Sequence, residues 1–122
     1  MNTRRFLGGL VGLTSALLLA QATSAMSIRE MRTLEAREKK DGKVYAEYYL
    51  VGVMEGLREA SDATQRNGGK PLICVGERRL VPSMARSLYQ GELKRHADLY
   101  EADMPVPLVM SAALQTAYRC NP

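Results

Sequence analysis

The chain has 122 residues, 46% hydrophobic and 25% charged, with a formal net charge of +4. That bounds it to one domain and excludes a disordered chain, a collagen-like repeat and a low-complexity tract. One histidine and two cysteines exclude a closed four-ligand zinc site built from N and S donors alone.

Residues 1–25 read as an export signal. Arg4 and Arg5 form a positive n-region, Phe6 to Ala20 an uncharged apolar run, and Thr23-Ser24-Ala25 a stretch of small residues suited to a peptidase cleft. Glycines at 8, 9 and 12 and the polar Gln21 and Thr23 shorten the strongly apolar part below the roughly 20 residues that a permanent span needs. The first residues are compatible with general or twin-arginine export. Lipid attachment is excluded, because the only cysteines are Cys74 and Cys120. Removing 25 of 122 residues leaves a domain of 97, residues 26–122, with 15 basic against 13 acidic side chains. No basic stripe with interleaved aromatics remains, so nucleic acid is excluded as a partner.

Four helices follow, and no segment alternates with a strand's period of two. The first is expected over Ser27–Lys40. Ser27 and Glu30 have capping-box spacing, Ile28, Met31 and Leu34 make a thin apolar stripe, and Asp41-Gly42 is expected to stop it. The second is expected over Lys43–Gln65, with Leu50, Val53, Met54 and Leu57 at i, i+3, i+4, i+7 and with Val44, Tyr48 and Val51 extending that face. Gly52 and Gly56 sit one turn apart inside it. Each costs about 1 kcal/mol relative to Ala, so close approach of another helix or chain is expected there.

Residues 66–76 read as a loop, punctuated by Asn67-Gly68-Gly69 and Pro71. The third helix is expected over Val81–Ala97, with Pro82 in the first turn and Val81, Met84, Ala85, Leu88 and Leu93 inward. The fourth is expected over Val106–Arg119, with Val106, Met110, Ala113, Leu114 and Ala117 inward. The fold class is therefore all-α: a small four-helix bundle, five with a short extra helix, carrying one disulfide. In an exported chain the two cysteines are expected to pair, Cys74 with Cys120. That bond would staple the last helix to the loop after the second.

No enzyme signature is present, and no catalytic, cofactor-binding or metal-binding residue is expected. His96 reads as a surface residue near a helix C-terminus. The pairs Glu55/Glu59 and Glu35/Glu38 read as solvated faces or as partners for Arg58 and Lys39. Two regions are candidates for binding a protein, the first otherwise expected to pack the bundle with its hydroxyls at the rim and the second otherwise a plain connector. Tyr45, Tyr48 and Tyr49 cluster at the start of the second helix, and tyrosine offers broad contact area with a polar handle. Arg66, Asn67 and Lys70 lie on the polar loop that leads to Cys74, a favoured kind of recognition site.

The order of several motifs is more specific than any one of them. Tyr48-Tyr49-Leu50-Val51-Gly52-Val53-Met54-Glu55-Gly56-Leu57 is followed by Leu72-Ile73-Cys74-Val75, then Leu80-Val81-Pro82, then Leu88-Tyr89, then Ala112-Ala113-Leu114-Gln115-Thr116-Ala117-Tyr118-Arg119-Cys120. This succession, over Lys43 to Cys120, resembles the Rap/Tai family of type VI secretion immunity proteins. Two departures stand out: Cys74-Val75-Gly76 replaces a Cys-Val-Pro segment, and Leu34-Glu35-Ala36 stands where many members carry a further cysteine. The resemblance implies a small helical periplasmic protein, often a homodimer, that binds a peptidoglycan-cleaving amidase effector and blocks it sterically. Rival readings from other classes are a small periplasmic stress chaperone and an accessory subunit of an envelope complex.

Overall fold

The computed structural model describes residues 24–37 and 41–121. The export signal read over residues 1–25 lies outside them except for Ser24 and Ala25, which are exposed, and so does the end of the first helix at Lys39 and Lys40. Among the described residues four α-helices follow in order: α1 Ile28–Arg37, α2 Asp41–Arg66, α3 Ala85–Arg95 and α4 Val106–Ala117. Short 3-10 turns at Pro82–Met84 and Ala97–Leu99 flank α3. Among the described residues there is no strand, only a single bridge between Ser27 and Pro105. The all-α bundle is what the sequence periodicity leads one to expect, and the one disulfide is what the two cysteines lead one to expect.

Each helix end has a local cause. Ser27 and Glu30 form the capping box: the Ser27 amide donates to the Glu30 carboxylate at 2.7 Å, and the Glu30 amide donates to Ser27 Oγ at 3.2 Å. That backbone hydrogen bond, with a second from the Ser27 hydroxyl, holds the Glu30 carboxyl below its usual range. Asp41 and Gly42 open α2 instead of merely stopping α1, which corrects the expected boundary. Asp41 is well placed there, because an acidic side chain in the first turn complements the helix dipole. The other end of α2 closes on Gly68 at φ +81°, whose amide donates to Gln65 O while the Gly69 amide donates to Thr64 O. This is a Schellman cap, so Asn67-Gly68-Gly69 terminates a helix and is not a plain connector.

The core sits around α4. Val106, Val109, Met110, Ala113 and Leu114 are buried, and Ile28, Met31, Leu50, Met54, Ala85 and Tyr89 close over them from the other helices. Ala117, expected inward, is exposed, because α4 turns out of the helix at Tyr118. On α3 the buried positions are Ala85, Tyr89 and Glu92, with Leu88 and Leu93 only half-buried at the margin. Val44 and Tyr48, expected to extend the buried face of α2, are exposed. Ala46 takes the inward position beside them.

Cys74 and Cys120 are bonded, 46 residues apart in sequence. The bond is one of several ties at the same place. Ile73 exchanges two hydrogen bonds with the buried Ser61 hydroxyl of α2, at 3.1 and 3.2 Å, and the Cys74 amide donates to Tyr118 O at 2.8 Å. The Arg78 guanidinium gathers the carbonyls of Cys74, Val75, Ala117 and Arg119 and lies 5.3 Å from the Tyr118 ring centroid. A cation there satisfies carbonyls that α4 leaves without helical partners. The turn that brings Arg78 round runs through Gly76 at φ +58°, a conformation closed to proline.

Candidate functional site

The candidate residues divide between the two ends of α2. Tyr45 and Tyr48 lie on its N-terminal half and Arg66 closes its C-terminus. Twenty-one residues of helix separate Tyr45 from Arg66, a distance of about 30 Å. A standard interface of about 800 Å² on each partner is itself about 30 Å across, so the two ends lie at opposite margins of a patch that size and are taken in turn.

At the N-terminal end, Tyr48 is 73% exposed, Tyr45 57% and Val44 45%. These are large side chains with apolar bodies, and one turn of helix brings them side by side. Beside them Val44, Glu47, Tyr48 and Val51 meet Pro82 and Ser83 across a groove of about 240 Å³. The 3-10 turn ahead of α3 forms the groove's far wall. Tyr49 does not join this surface. It is half-buried, and its hydroxyl accepts a hydrogen bond from the Met26 amide at 3.2 Å, so it ties the start of the domain to α2. The three tyrosines thus divide by helical phase into two outward and one inward.

Gly52 and Gly56 continue the outward stripe, at i+4 and i+8 from Tyr48. Both are exposed, and no atom of a neighbouring element lies within 4 Å of where a Cβ would stand. Among the described residues no second helix approaches them, so the close packing expected within the bundle is not what these glycines serve.

At the C-terminal end, Arg66 is paired with Glu59 at 2.5 Å, Asn67 belongs to the helix cap and Lys70 is exposed. Glu59 therefore serves Arg66 and not Arg58. The Arg58 guanidinium donates instead to Leu80 O at 3.3 Å. Glu35 pairs across the bundle with Arg86 at 3.6 Å.

His96 is half-exposed, and its Nδ1 lies 3.0 Å from Glu92 Oε1. Glu92 is 3% exposed and also receives the Tyr100 hydroxyl at 2.7 Å. Burial works to raise the Glu92 carboxyl, but the hydrogen bonds from Tyr100 and His96 and the nearby Arg95 outweigh it and hold the group below its ordinary range. Burial, with the hydrogen bond to Glu92 second, pushes the Tyr100 phenol up to about 12. Burial also pushes Tyr89 up to about 12, and its hydroxyl has no hydrogen-bond partner. This cluster was not legible as a site, because Glu92 sits between Gly91 and Leu93 in a segment whose other charges are solvated. The signal available was its spacing, i, i+4 and i+8 with His96 and Tyr100.

Among the described residues no group of three or more His, Cys, Asp or Glu side chains could hold a metal, and no helix is long and apolar enough to cross a membrane. No family model, no curated protein and no solved structure matches the chain.

Proposed function

We propose that this protein is an immunity-type inhibitor that binds a peptidoglycan-cleaving amidase in the periplasm and covers its active site, with the N-terminal half of α2 as the contact. The observation that carries the binding reading is the exposed Val44–Tyr45–Tyr48 surface beside its groove. Tyrosines that present their rings to water on a well-packed helix are what hot spots are made of: large contact area, a hydroxyl for register, and little side-chain entropy to lose. The two exposed glycines beside them let a partner's backbone come close. The identity of the partner rests on the motif succession that resembles the Rap/Tai family, and export rests on the signal-like residues 1–25.

The mechanism is steric. The chain contributes bulk and shape, held rigid by the disulfide and by the Arg78 clamp, and makes no covalent bond to its target. The test is an assay of peptidoglycan cleavage by the amidase that the same cell secretes. The disulfide-bonded chain is expected to stop cleavage at near-equimolar ratio, and Tyr45→Ala with Tyr48→Ala to weaken inhibition by at least about tenfold, the scale of a single hot spot. Full cleavage in the presence of excess wild-type chain overturns the reading. Equal inhibition by the double variant moves the contact to the Arg66–Lys70 end.

A further inference from the structure

Among the described residues Glu92 is the only carboxylate buried in the core. An ionised carboxylate only accepts, so the Tyr100 hydroxyl and the His96 Nδ1–H both donate into Oε1. Oε2 makes no hydrogen bond and lies 3.5 Å from the Arg95 guanidinium. The charged and titratable groups that act on Glu92 are Arg95 of its own helix, His96 at that helix's C-cap and Tyr100 of the connector, while Asp98, on the 97–99 turn that packs on α3, is exposed and does not act on it. α4, packed across α3, carries no ionisable side chain at all, and none of α2 or of the 82–84 turn acts on it.

The connector that Glu92 holds has a second set of attachments. The Arg29 amide donates to Ala102 O at 2.8 Å, the Ile28 amide to Met104 O at 2.9 Å and the Val106 amide to Met26 O at 2.8 Å. Arg29 pairs with Asp103 at 3.0 Å on the surface. Those attachments belong to the first turn of α1, which is itself capped by the Glu30 carboxylate. One corner of the molecule thus depends on two carboxylates, Glu92 from behind and Glu30 from the front. The half-buried Tyr100 and Met104 pack against the core beneath it.

We propose that Glu92 is an acid-operated latch: ionised, it holds the connector 96–105 onto α3, and protonated, it lets that corner open and expose Tyr100, Met104 and the core behind them. A charge-assisted hydrogen bond is about twice as strong as a neutral one, so protonation weakens both donors' contacts at once. The direction follows from linkage. The folded-state values of Glu92 and Glu30 lie below those of the unfolded chain, so their contribution is complete above the ordinary glutamate value and is lost as pH falls through the folded one. The latch therefore stays closed at neutral pH and opens only in acid, whether or not the α2 surface is occupied.

Amide hydrogen exchange on the full chain with its disulfide formed tests this, followed residue by residue from pH 6 to pH 3. After correction for intrinsic rates, protection at Ile28, Leu99 and Met104 is expected to fall at least about tenfold while the amides of α4 hold theirs. Glu92→Gln should show a corner already open at pH 6 and little further change, apart from the share of the Ser27–Glu30 cap. Tyr100→Phe removes one of the bonds that depress the carboxyl, so it should move the midpoint to higher pH. Corner protection that stays constant, or that falls only together with α4, overturns the latch, as does a wild-type midpoint in Glu92→Gln. Should that variant fail to fold, an unmoved midpoint in Tyr100→Phe overturns it alone.

Discussion

Gly68 shows how one residue's backbone can decide the end of the longest helix. At φ +81° it turns the chain so that its own amide and that of Gly69 reach back to the last carbonyls of α2. A side chain at that angle is strained, so Gly68→Ala is expected to lower stability by about 1 kcal/mol or somewhat more, measured as the shift in a urea midpoint at constant slope. No shift would mean that the turn is not held in the αL conformation. At this scale the short-range chemistry was readable from the chain. The Ser27–Glu30 cap needs only a spacing of three, and the structure has it as expected. Glu92 and Arg78 were not readable, because their meaning lies in what they touch. Arg78 serves carbonyls some forty residues away, and Glu92 is a charged residue in a segment of charged residues until folding buries it.

At the scale of the element, the four helices were legible from their apolar period, and their faces nearly so. The errors fall where a helix has more apolar residues than its neighbours can cover. α2 is 26 residues long, and its N-terminal half offers Val44, Tyr45, Tyr48, Tyr49 and Val51 to a core that takes in chiefly Ala46 and Leu50. Periodicity cannot say which of two adjacent apolar stripes loses, and here the stripe with Val44 and Tyr48 is left outside. The glycines on that stripe make a sharp prediction. Gly52→Ala and Gly56→Ala enter open space inside a helix, so each should raise the stability of the isolated chain by about 0.5–1 kcal/mol. If a partner's backbone seats there, each should also weaken binding, since the added methyl occupies the contact. Thermal denaturation and affinity measured on the same variants separate the two effects. A variant that gains stability and keeps its affinity would clear the glycines of any part in the interface.

For the molecule as a whole, the described residues 24–37 and 41–121 form a small core, and domains of about 100 residues bury only somewhat over ~60% of the surface of their unfolded chain. The Cys74–Cys120 bond closes 46 residues, from the loop after α2 to the end of α4. The chain-entropy account credits such a loop with roughly 4 kcal/mol as a ceiling. Cys120→Ser is therefore expected to lower the thermal midpoint by roughly 10–20 °C in oxidising buffer and to match the wild type under reductant. Equal midpoints in oxidising buffer would show that Ser61, Tyr118 and Arg78 hold that junction without the sulfurs. The pairing itself was legible from two cysteines and a signal-like start. The ties around it were not, since each joins residues far apart in sequence.

We propose that this rigid body works by touching another protein through the outer face of α2. Calorimetric titration of the disulfide-bonded chain into the peptidoglycan amidase secreted by the same cell measures that most directly. The account predicts a saturable complex whose affinity drops at least about tenfold with Tyr48→Ala and is unchanged by Arg66→Glu with Lys70→Glu. No binding by the wild-type chain, or binding that ignores Tyr48, would contradict it.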